Sequence, residues 1–85
     1  MRAFNVDWNF ALERLRAGDL VSRSISTWKG YQGRLSTDGK FQKRHYIEGI
    51  LEHCEPYWTE WEDLDWNTYP ANLNALDWTT MEVAA

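Results

Sequence analysis

One amphipathic segment closed by a glycine constrains this chain more than any other feature. Trp8, Ala11, Leu12 and Leu15 recur at i, i+3, i+4 and i+7, the spacing of one apolar helix face. Glu13, Arg14 and Arg16 take the polar side. Asp7 carries the short acceptor side chain of an N-cap. Gly18 suits the left-handed residue just past a helix end, and Arg14 and Arg16 complement the negative end of the helix dipole. The spacing predicts a helix from about Trp8 to Ala17.

Beyond Gly18 the chain reads as strands. Leu20 to Ile25 alternates loosely. Trp28 to Gly33 is a glycine-punctuated turn or bulge, and Tyr31 to Ser36 is a second strand. Asp38-Gly39 marks a tight turn between strands. Phe41 to Ile47 then places Phe41, Lys43 and His45 on one side and Gln42, Arg44 and Tyr46 on the other, with the buried side left open. Residues 1–6 read as a lead-in. Ile47 to Cys54 fits a strand or a short helix, and Tyr57 to Trp61 a strand or a helical turn. Asp63 to Pro70 reads as a loop, Pro70 to Leu76 as a short helical turn, Asp77 to Val83 as the last strand, and Ala84-Ala85 as a frayed tail. The expected fold is α+β: one N-terminal amphipathic helix packed on a small antiparallel sheet, in a single domain over residues 1–85.

Six Trp, four Tyr and three Phe among 85 residues give a small domain the means to build a core, since each ring buries roughly 150–250 Å². Some of them are expected at a subunit interface or in a ligand pocket. The single cysteine, Cys54, allows no intrachain disulfide and reads as a small semi-buried apolar residue. There is no signal-like start and no apolar run near the ~20 residues of a membrane span, so a soluble, intracellular protein is expected. The net charge of −4 is unevenly spread: residues 1–44 hold all nine Lys and Arg against four acidic groups, and residues 45–85 hold nine acidic groups and no Lys or Arg. Such asymmetry fits a nucleic-acid or partner surface, self-association, or two halves that compensate each other on folding.

Chemistry of a catalytic kind finds little support. His45, His53 and Cys54 lack the ligand spacing of a zinc site, and Glu60, Glu62, Asp63 and Asp65 lack the glycine and ligand pattern of a calcium loop. No serine lies in a nucleophile elbow, and no phosphate-binding glycine loop is present. The expectation is a non-enzyme without cofactor or metal. Two groups of residues suit binding. Arg23, Trp28, Lys29 and Tyr31 combine cations and rings around glycines, which suits an anionic ligand with a base: guanidinium on phosphate, ring on purine. The competing reading makes Trp28 core and Arg23 an ordinary strand residue. The acidic, aromatic run from Glu48 to Asp65 is the second, with Trp58, Glu60, Trp61, Glu62, Asp63 and Asp65 as its candidate contact residues. That run suits either a docking face for a basic partner, in the manner of a DNA mimic, or a charged edge that blocks aggregation.

The stretch from Phe10 to Arg23, followed by Trp28 and Lys29-Gly30, resembles the opening of the second family of phage Thoeris anti-defence proteins. That opening has the form F-x-x-A-L-x-x-L-x-x-G-x-x-V-x-R-x-x-W, then glycine. Ala11-Leu12, Leu15, Gly18, Val21 and Arg23 match it, with Trp8 in the phenylalanine position and Trp28 about two residues late. Leu73 to Val83 is similar to the family's D-L-L-A-x-D-W-x-V-V close. The resemblance implies a small α+β protein that forms homo-oligomers, typically tetramers. It implies a sponge that sequesters cyclic ADP-ribose-type or cyclic oligonucleotide signals in the host cytoplasm without cleaving them, with no direct nucleic-acid or membrane partner. It places Arg23, Trp28 and the Asp77-Trp78 corner in or near pockets between protomers. On that reading Arg23→Ala leaves the fold intact and abolishes anion binding. The alternative is an anti-CRISPR-like inhibitor that binds a basic host defence protein through the acidic half.

Overall fold

The computed structural model describes residues 2–49 and 55–83. In chain order these form β1 (Ala3–Val6), α1 (Trp8–Arg16), β2 (Leu20–Arg23), a 3-10 turn (Ser26–Trp28), β3 (Tyr31–Leu35), β4 (Phe41–Ile47), β5 (Tyr57–Trp58), β6 (Glu62–Asp63), a second 3-10 turn (Trp66–Thr68), α2 (Pro70–Leu73) and β7 (Trp78–Met81). The strands make one antiparallel sheet in the order β1-β7-β2-β3-β4-β5, with β6 also pairing β4. The α+β expectation holds, with α1 packed on β7, β2 and β3. Among the described residues no helix is long and apolar enough to cross a membrane.

The helix begins and ends where its sequence requires. The Phe10 amide donates to Asp7 Oδ1 at 2.9 Å, which satisfies one of the free amides of the first turn. At the other end Gly18 takes φ +97°. Its amide reaches the Leu15 carbonyl at 3.0 Å, and the Asp19 amide reaches the Arg14 carbonyl at 2.9 Å. This is the paired C-terminal closure that favours glycine. Ala11 and Leu15 are fully buried, and Trp8 and Leu12 pack beside them, so the predicted apolar face is the one that meets the sheet.

Two readings change. Residues 1–6 are not a lead-in: Ala3–Val6 is the edge strand, paired to β7. Its register runs Ala3 to Thr80 and Val6 to Trp78. One extra residue is accommodated as a bulge with Asn5 at φ +54°, a conformation asparagine tolerates better than most residues. The Asp63 to Pro70 stretch is not only loop. It contains the end of β6 and the 3-10 turn of Trp66, which is buried at the centre of the core. Of Trp28 to Gly33, read as a turn or bulge, Trp28 ends a 3-10 turn begun at Ser26, Lys29 and Gly30 continue the turn, and Tyr31 to Gly33 already belong to β3. The alternative readings for Ile47 to Cys54, the role of Cys54, and the Ala84-Ala85 tail fall wholly or largely outside the described residues.

The core is built from indoles. Trp8, Trp28, Trp66 and Trp78 touch one another at centroid distances of 5.3 to 5.8 Å, edge-on or tilted, and Phe41 meets Trp66 edge-on at 5.2 Å. Edge-on contacts are among the geometries that aromatic quadrupoles favour. Trp66 lies so close to β3 that a Cβ at Gly33 would stand 2.8 Å from its ring. Gly33 is therefore a gap in the strand that the tryptophan fills.

Candidate functional site

Strand parity decides which side chains are available. Successive residues of a strand face opposite sides. Gly33 faces Trp66, and Lys43 Nζ lies 4.4 Å from the Trp28 ring centroid and 4.2 Å from that of Tyr31. The odd-numbered positions of β3 and β4 thus face the core. The even ones, Gln32, Arg34, Gln42, Arg44 and Tyr46, face away from α1.

The structure does bring together Arg23, Trp28, Asp77 and Trp78, but as a closed interior cluster. Arg23 Nε donates to Asp77 Oδ1 at 2.9 Å, and its NH1 donates to Asn72 Oδ1 at 3.1 Å. The Trp28 indole N–H donates to the same Asn72 oxygen at 3.1 Å. Asn72 Nδ2 donates to the Trp66 carbonyl at 2.7 Å, and the Trp78 indole donates to the Asn72 carbonyl at 3.0 Å. Trp28 is 3% exposed and Trp78 is fully buried. This closure leaves neither ring a face to offer within the chain, and two of the five Arg23 N–H groups go to Asp77 and Asn72. Its physical reason is the 3-10 turn, which folds Trp28 inward onto Asn72. Lys29 is exposed. Tyr31 stacks on His45 at 4.2 Å with planes 4° apart and covers Lys43, so it does not join an open site with Arg23.

The open site lies on the other face of the sheet. Arg34 pairs across the ladder with Gln42, and Gln32 with Arg44. Arg34 Nε donates to Gln42 Oε1 at 2.7 Å. Arg44 donates to Gln32 Oε1 through Nε at 3.0 Å and NH2 at 2.7 Å. Over them lie two rings from the acidic run. The Trp61 centroid is 4.4 Å from the Arg34 guanidinium carbon and 4.7 Å from that of Arg44. Trp58 is 4.4 Å from Arg44 and meets Tyr46 edge-on. Among the described residues neither guanidinium has a carboxylate within ion-pair distance. Burial first, and the like charge of Arg34 second, push the Arg44 guanidinium below its ordinary pKa. It stays protonated, because arginine starts so high.

A cleft of about 370 Å³ opens beside this pair, walled by Leu20, Val83 and Trp61 and carrying Ser36 and Thr37 as well as both arginines. Its size falls within the range of small-ligand sites. Of the acidic residues named as a docking face, Glu60, Glu62 and Asp65 are exposed. Asp63 accepts from Gln42 Nε2 at 2.7 Å and lies 3.6 Å from Lys40, so its charge is partly met within the chain. Among the described residues no group of three or more His, Cys, Asp or Glu is placed to hold a metal.

Sequence reasoning missed Gln32, Arg34, Gln42, Arg44 and Asn72. A signal for the first four was present: Gln-x-Arg occurs at 32–34 and again at 42–44, on either side of the Asp-Gly turn. Antiparallel pairing sets each glutamine opposite an arginine. Comparison with family models, with characterised proteins and with solved structures finds no match to this chain.

Proposed function

We propose that this protein binds a cyclic nucleotide signal, of the cyclic ADP-ribose or cyclic oligonucleotide type, and sequesters it without turnover. The observation that carries the reading is the cleft beside Arg34 and Arg44. It joins two guanidiniums that have no counter-charge among the described residues to the ring of Trp61, with Trp58 beside it over Arg44. Guanidiniums recognise phosphate by paired N–H donation, and indoles provide stacking surface for a base. The resemblance to the Thoeris anti-defence family supports the same ligand class. It also supports action as a phage counter-defence protein in the host cytoplasm and assembly as a homo-oligomer. An open cleft with exposed Val83 at its rim suits completion by a second protomer.

Calorimetry with cyclic ADP-ribose isomers and cyclic di- and trinucleotides tests this. Micromolar binding is expected, with the ligand recovered unchanged after the protein is denatured. No heat with any member of the panel, or a cleaved product, overturns the reading. Light scattering of the same sample is expected to give a tetramer.

A second reading has one observation in its favour. Glu60, Glu62 and Asp65 are exposed on a short segment that can face a basic host defence protein. Pull-down from host extract at low and high salt tests it. A partner retained after charge reversal at Glu60 and Glu62 argues against it.

A further inference from the structure

Arginines gathered on one sheet face are ordinarily matched by carboxylates. Here the matched acceptors are amides. Gln32 Oε1 takes two N–H groups of Arg44, and Gln42 Oε1 takes one of Arg34. A glutamine oxygen orients a guanidinium as a glutamate oxygen would, but cancels none of its charge. Each glutamine is itself held: Gln32 Nε2 donates to Met81 Sδ at 3.5 Å, and Gln42 Nε2 to Asp63 Oδ1 at 2.7 Å. Both guanidinium carbons lie within 4.7 Å of the single Trp61 centroid, so two like charges share one partly dehydrated place. Arg34 uses only Nε in these bonds, and Arg44 keeps NH1 free of them. The remaining N–H groups have no carboxylate to meet among the described residues.

We infer that Gln32 and Gln42 set the charge of the ligand. By orienting Arg34 and Arg44 without neutralising them, they make the cleft a site for two adjacent phosphoryl groups and poor for a single monoanion. This deepens the proposed function and rests on it for the nucleotide, but the charge requirement has its own test.

The probes are inorganic pyrophosphate and dimethyl phosphate, titrated calorimetrically into the intact protein. Pyrophosphate is expected to bind at least tenfold more tightly. Gln32→Glu supplies Arg44 with a carboxylate of the same shape. It is expected to weaken pyrophosphate about tenfold, to lessen the salt dependence of binding, and to leave thermal stability equal or higher. Gln42→Glu is combined with Asp63→Asn, which avoids two facing carboxylates, and is expected to act alike. Gln32→Leu removes the acceptor without adding charge and is expected to lose less. Equal affinity of the wild type for both probes, no binding of pyrophosphate, or equal losses in Gln32→Glu and Gln32→Leu would each overturn the inference. The cyclic nucleotide panel is read separately. If Gln32→Glu loses pyrophosphate while no cyclic nucleotide binds the wild type, the charge rule stands and the function falls. If a cyclic nucleotide binds wild type and Gln32→Glu equally, the function stands and the charge rule falls.

Discussion

Two arginine–tryptophan clusters occupy opposite faces of one sheet, and their fates differ. On the inner face the Arg23 side chain is 10% exposed, ion-paired to Asp77, hydrogen-bonded to Asn72, and adjoins indoles that are sealed from water. On the outer face Arg34 and Arg44 lie under indoles that water reaches, and their acceptors are neutral. The first cluster is charge-balanced and closed to water, so it holds the fold together. The second has no carboxylate partner among the described residues and stands open to water, which is what the proposed ligand site requires. On the proposed function, the same two residue types serve stability or binding according to whether counter-charge is supplied from within the chain.

The contrast is sharpest in the tryptophans. Trp66→Ala empties the middle of the core and is expected to cost about 3–5 kcal/mol, whereas Trp61→Ala is expected to cost under about 1 kcal/mol, as exposed cation–π contacts do. Urea unfolding of both variants measures this; similar losses would erase the distinction between the faces. Gly33→Ala pushes a methyl group against the Trp66 ring and is expected to cost about 1–3 kcal/mol through overpacking. A neutral result in the same assay would mean that the ring can slide off the strand.

The arginines give a smaller but more diagnostic pair. Arg23→Ala leaves Asp77 without its ion-pair partner and Asn72 Oδ1 with the Trp28 indole alone, and a loss of about 1–3 kcal/mol is expected, with pyrophosphate binding retained. Arg34→Ala is expected to do the reverse: unchanged melting, and binding weakened tenfold or more. Crossed outcomes would restore Arg23 to the ligand site. The smallest effect concerns Lys43, whose pKa burial lowers. Between the lowered folded value and the ordinary one, the unfolded chain binds more protons, so stability rises with pH across that window. The cost is fully present at neutral pH. Stability curves of wild type and Lys43→Met, compared from neutral to alkaline pH, are expected to converge as the lysine deprotonates.

The helix, its two caps and the hairpin were legible because their signals are local: a stripe at helical spacing, an acceptor before it, a glycine after it, Asp-Gly between two alternating runs. Even the division of Phe41 to Ile47 into two faces could be read, though not which face was covered. Covering depended on Trp66, and nothing near Trp66 in the sequence announces a core residue. It is flanked by Asp65 and Asn67 and reaches Gly33 from a distant part of the chain. Asn72 was illegible for the same reason, since Arg23 and Trp28 come to it from the first third of the sequence. The ligand residues were sought at Arg23 and Trp28 because cation and ring stand close together in sequence there. The pairing of Arg34 and Arg44 with Trp61 joins positions far apart along the chain, and only the folded sheet supplies it.

One small feature governs which cluster faces which way. The turn from Ser36 to Lys40 is closed by the Ser36 amide on the Lys40 carbonyl at 2.8 Å, the Gly39 amide on the Ser36 carbonyl at 3.0 Å, and a side-chain bond from Ser36 to Asp38. It sets the register that puts Arg34 opposite Gln42. A strand slipped by one residue exchanges its faces, sending Arg44 toward the indoles and Lys43 into solvent. Length in this turn is therefore under stricter control than composition. An inserted or deleted residue between Ser36 and Lys40 would turn the hairpin inside out, whereas a substitution there leaves the pairing of Arg34 with Gln42 in place.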